Sequence, residues 1–207
     1  MKTEKELIVI YPYLNNLELS AQDEAGCAEA CLVVANSIIR YKKIESRGEF
    51  QAELSKVYLD RLRNETTIGL RDLPSLKRQA KDLFGINGEV KNISDFETYI
   101  ENDKLFISRL RWSKFESNQN VHRYIDDEHY VLVYRVTEDT VFFWEPSFSF
   151  NGKKTFKEKL AENSRIRAHL SYSSPFWEMP RAEFIQRIKK ASMIPSQNKE
   201  FLVLKFN

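Results

Sequence analysis

A cysteine set where a helix begins constrains this chain more than any other feature. Gln22-Asp23-Glu24-Ala25-Gly26-Cys27 runs directly into apolar positions at Cys27, Ala30, Cys31, Val34, Ala35, Ile38 and Ile39. Spacings of three and four predict a helix with one buried face. Two further helices follow. Phe50 to Leu62 repeats the pattern through Leu54, Val57, Tyr58 and Leu62. Leu73-Pro74-Ser75 opens the other, which buries Leu76, Ala80, Leu83 and Phe84 and stops at Gly85. The later chain changes period. Tyr130 to Val136, a turn at Thr137-Glu138-Asp139, and Thr140 to Glu145 ended by Pro146 predict a hairpin. Helices first and hairpins later predict an α+β domain of two lobes, a helical lobe carrying Cys27 and an antiparallel sheet lobe.

Shorter elements complete the pattern. Leu7-Ile8-Val9-Ile10 predicts a strand or extended arm, Asp95 to Tyr99 a short helix, and Lys104 to Leu110 a strand. Arg181 to Lys190 predicts a helix and Phe201 to Phe206 a closing strand. Arg109 to Asp127 reads as a long polar loop, and loops of that length in a compact domain are often functional. Residues 147–177 read as irregular. No repeat or Pro/Gly-rich linker divides the 207 residues, so 1–207 is taken as one domain.

Composition excludes several classes. With 42% hydrophobic and 30% charged residues and only six Gly and six Pro, the chain is globular rather than disordered. A formal charge of +2 predicts no nucleic-acid partner and no pull toward anionic membrane. No run approaches the roughly 18 apolar residues of a membrane span. The N-terminal segment is no signal peptide, which makes the cytoplasm the expected compartment. Cys27 and Cys31 lie one helical turn apart, in poor geometry for a disulfide. Two cysteines and three scattered histidines give no zinc spacing, and no cofactor is expected.

What remains is nucleophile chemistry. The free amides and dipole of a helix N-terminus favour a thiolate there, and Cys27 falls at that point. Cys31, one turn deeper on the apolar face, reads as core. Acyl transfer also needs donors for the oxyanion. The Cys27 backbone amide and the Gln22 side chain, five residues earlier, are the candidates. A base must reach the thiol and be oriented by a third group. His129 opens the first hairpin strand and Glu145 closes the second, with their midpoint at Thr137. Folding there sets the two side by side or one diagonal step apart, and opposed residues have Cβ atoms roughly 5 Å apart. His122 and His169 fall in polar segments and read as solvated.

Gln22 to Leu32, QDEAGCAEACL, resembles the active-site segment of the papain-like peptidases that cut bacteriocin leader peptides after a double glycine. That family shows a Gln five before its nucleophilic Cys and commonly a second Cys four after it. Thr67-Ile68-Gly69 through Phe84-Gly85-Ile86 is similar to a later helix and its glycine exit. His129-Tyr130-Val131-Leu132-Val133 resembles the histidine strand, and Glu145-Pro146 stands where the family usually has Asp-Pro. Besides that Glu, and a longer loop at 110–128, other differences are plain. Ala28 replaces the Gly that usually follows the nucleophile, and 147–177 reads as an insertion. The resemblance implies a papain-like fold and a cysteine peptidase with Cys27 as nucleophile, His129 as base, Glu145 as orienting carboxylate and Gln22 in the oxyanion hole. It also implies a peptide or protein substrate.

The same apparatus serves papain-like acyltransferases, transglutaminases and deamidases, and degenerate relatives bind peptide without cutting it. Arg109-Leu110-Arg111-Trp112-Ser113-Lys114-Phe115 interleaves cations with aromatics, as single-strand nucleic-acid binders do. With the total charge nearly balanced, it reads instead as a rim loop beside the site.

Overall fold

The computed structural model describes residues 26–42, 44, 46–64, 72–96, 104–111, 128–144, 146, 167–168, 176–189, 191 and 200–205. Helix α1 spans Gly26–Ile39, α2 Arg47–Asn64 and α3 Leu73–Phe84. Strand β1 (Gly88–Asn92) and the short α4 (Ile93–Phe96) follow. Then come β2 (Leu105–Arg111), β3 (Glu128–Val136), β4 (Thr140–Trp144), β5 (Arg167–Ala168) and β6 (Phe176–Pro180). Helix α5 (Arg181–Lys189) and β7 (Glu200–Leu204) close the described chain. The strands form one antiparallel sheet in the order β1-β7-β2-β3-β4-β6-β5.

Local chemistry sets the helix ends. Ser46 caps α2, its hydroxyl accepting from the Glu49 amide at 3.2 Å. Asp72 caps α3 by accepting from the Ser75 amide at 2.6 Å, with Pro74 just inside the helix. Gly85 ends α3 in the left-handed region at φ 64°, and its amide donates to the Lys81 carbonyl while that of Ile86 donates to Ala80. Side chains lock α3 to α2. Asp60 accepts from Arg78 at 2.8 Å and from the buried Gln79 at 2.7 Å, and Gln79 also donates to the Val57 carbonyl.

The sheet separates two apolar cores. On one face α1, α2 and α3 pack against Leu105, Ile107, Tyr130, Leu132, Tyr134, Trp144, Leu202 and Leu204. On the other, α4 and α5 cover Phe106, Val131, Val133, Phe143, Phe201 and their neighbours. There the Phe96 ring lies 5.3 Å from Phe201, 5.6 Å from Phe184 and 6.0 Å from Phe106 between centroids. The alternation of β3 between the two cores is the period-2 pattern of a strand buried on both sides. It breaks once. Leu132 faces Trp144 and Val133 faces Phe143, but Arg135 faces Phe142, so Tyr134 is an extra residue in a β-bulge.

Several expectations need correction. Helix α1 has no solvated face. Of its fourteen residues, only Cys27 and Asn36 escape full burial, because α2, α3 and the sheet enclose it. Leu62 and Leu83, placed in the core by helical spacing, are exposed. Strand β1 was not evident in the sequence, and β5 with the start of β6 joins the sheet inside the stretch read as irregular. Strand β2 extends to Arg111, and Arg109 and Leu110 are buried within it, so the basic-aromatic run begins as core strand rather than loop. The hairpin turns at Glu138-Asp139, inside the expected turn but one step beyond its supposed midpoint at Thr137. The Thr137 amide donates to the Thr140 carbonyl at 2.8 Å, and the Thr140 amide donates to the Thr137 hydroxyl at 3.0 Å. The arm or strand at 7–10, the insertion at 147–177 apart from its two strands, and most of the 109–127 loop lie outside the described residues.

Candidate active site

Cys27 is the second residue of α1 and is half-buried against the helical core, while Cys31 is fully buried. Neither thiol is part of a disulfide. The contrast follows from position. Cys31 lies about 6 Å further along the axis, inside the layer where helix and sheet meet. Its Sγ donates to the backbone oxygen of Tyr130 at 3.7 Å, a weak bond that nonetheless fixes a register. The first turns of α1 therefore rest on the start of β3.

His129 is the residue before Tyr130. It is the second residue of β3, and its backbone stands opposite Leu110 of β2. The backbone that carries the candidate base thus adjoins the carbonyl touched by the helix of the candidate nucleophile. Gln22 and Glu145 lie outside the described residues, as do His122 and His169. The described pairing of β3 with β4 runs as far as Trp144, which faces Leu132. A shallow dent too small to admit water lies at this end of the sheet, bounded by Leu73, Arg109, Tyr130, Ile188, Ala191 and Glu200. Among the described residues, no group of three or more His, Cys, Asp or Glu side chains could hold a metal ion, and no helix is long and apolar enough to cross a membrane.

One feature of the site was missed in the sequence. Glu29, two residues after Cys27, is fully buried and accepts from Nη1 of Arg61 at 3.2 Å. The signal was available, since a carboxylate set among Ala28, Ala30, Cys31 and Leu32 must find a cation or lose its charge.

Comparison with known proteins adds little. No protein-family model matches the chain, and no curated protein matches it. A crystal structure described as that of a "putative C39-like peptidase" from Bacillus anthracis aligns over 87% of this chain and 89% of its own, at 12% identity and a TM-score of 0.44.

Proposed function

We propose that this chain is a cysteine peptidase in which Cys27 attacks a peptide carbonyl. The observation that carries the reading is the seating of α1 on β3, where Cys31 meets the carbonyl of Tyr130 one residue from His129. In the proposed cycle His129 takes the thiol proton as sulfur bonds to the carbonyl carbon. The Cys27 amide and the Gln22 side chain donate to the resulting oxyanion. Collapse expels the amine, which receives the proton from His129. Water, deprotonated by His129, then releases the acyl group and restores the thiol. Glu145 holds the imidazole in the productive tautomer. The family likeness of QDEAGCAEACL suggests small-residue or double-glycine sites as the bonds cut.

Incubation with a double-glycine leader peptide, followed by mass spectrometry, tests the reaction. Two new peptides whose masses sum to substrate plus water support hydrolysis. A single product of altered mass supports amine transfer or deamidation at the same thiol. Alkylation of Cys27 no faster than that of a free cysteine, or a rate unchanged by His129→Ala, favours a peptide-binding module. An experimental structure with the His129 imidazole out of hydrogen-bonding reach of the Cys27 sulfur would overturn the catalytic pair.

A further inference from the structure

Helix α1 is packed chiefly by apolar contacts, which are strong but non-directional. Among the described residues two polar ties join it to a neighbouring helix or strand, both within its first six residues. One is the thiol of Cys31 on β3. The other joins Glu29 to Arg61, in the last turn of α2. The side chains of this pair are 0% and 5% exposed, so both charges have left water. Taking two such ions out of water is costly, and well-packed apolar residues of similar size often serve stability as well or better. An ion pair does supply a fixed distance and angle, which apolar packing lacks. Here that constraint acts two residues from the half-buried Cys27 and 32 residues away in sequence from its source.

We propose that Arg61, acting through Glu29, is a positioning residue for Cys27. The guanidinium fixes the height and rotation of the first turn of α1 against α2, and with them the direction of the sulfur. This inference rests on the reading of Cys27 as a nucleophile. The distinction from a merely structural role lies in what an apolar replacement does: it keeps the packing and releases the geometry.

The test uses the full chain carrying Glu29→Met with Arg61→Met, and separately Arg61→Lys. Thermal unfolding is measured beside the iodoacetamide alkylation rate of Cys27, followed on its own peptide by mass spectrometry. The double variant is expected to melt at or above the parent temperature while Cys27 alkylation falls about tenfold or more, as misplacement by a fraction of an ångström does at reactive centres. Arg61→Lys, which keeps the charge without the planar fork, is expected to give an intermediate rate. A parent-like rate in the folded double variant overturns the proposal. Should the double variant fail to fold, Arg61→Lys decides alone, and a rate within about twofold of the parent overturns it. Slow alkylation in the parent protein is a different result, since it removes the nucleophile reading itself.

Discussion

Iodoacetamide added to the native protein should distinguish two thiols that sit only one helical turn apart. Cys31 is 0% exposed in a helix enclosed by α2, α3 and the sheet, and its sulfur donates to the Tyr130 carbonyl. No side-chain rotation can bring it to solvent, so its modification requires α1 to leave the core. Because α1 is central, that opening costs close to the full unfolding free energy. Even at the lower end of domain stabilities, about 5 kcal/mol, the open fraction slows reaction by roughly 4,000-fold relative to the unfolded chain. Cys27, half-buried at the helix start, bears no such penalty. Timed quenching, digestion and mass spectrometry of the two cysteines measure both rates, with a urea-denatured sample as reference. Cys27 should react to completion while Cys31 stays unmodified, and urea should equalise them. Modification of Cys31 within about tenfold of Cys27 in the native protein would show that α1 is not enclosed, and the reasoning about its seating would fail.

Other perturbations reach the scaffold. Burial raises the pKa of Asp60, but the hydrogen bonds from Arg78 and Gln79, the charge of Arg78 and the bond from Asn64 outweigh it and hold the carboxyl below its ordinary value of 3.8. Its stabilising contribution is therefore complete above that value and is lost as pH falls below it. Urea titrations of Asp60→Asn should show a shallower acid decline than the parent, and Asp60→Ala at pH 7 should cost about 2 kcal/mol. Phe96→Ala removes a wholly buried ring from contact with Phe106, Phe184 and Phe201. It should cost about 3–5 kcal/mol in urea melts, and it should leave native Cys27 alkylation unchanged because the ring lies across the sheet. Gly85→Ala forces a Cβ into φ 64° and within 2.9 Å of the Arg40 guanidinium, so a loss of about 1 kcal/mol is expected in thermal melts.

The sequence showed the elements that carry strong periodicity. Helix α1 begins one residue before Cys27, and Pro74 and Gly85 bracket α3 as expected. Strands that depend on their neighbours were hidden. Gly88-Glu89-Val90-Lys91-Asn92 has a single apolar side chain and becomes β1 because β7 supplies a partner edge. Phe176 to Pro180 becomes a strand because it pairs with β4. Helical spacing also overstated the core at Leu62 and Leu83, since a heptad-like pattern does not say how far a neighbouring layer extends. At the site, spacing singled out Cys27 and His129. The buried Glu29–Arg61 pair escaped notice because its halves lie on different helices, and only tertiary packing brings them together.

The single extra residue at Tyr134 has a lasting effect on what this hairpin can tolerate. Tyr134 and Arg135 fall on the same side of the sheet, and beyond them the two strand halves run in opposite phase. Excising that extra residue would straighten the ribbon and leave every other side chain on its own face, because Val133 and Arg135 already pair with the adjacent Phe143 and Phe142. Excising Val131 or Leu132 instead would turn the strand before the cut over, face for face. A one-residue change of length is thus absorbed at the bulge or in the tip at Glu138-Asp139, while elsewhere in the ribbon changes have to come in matched pairs.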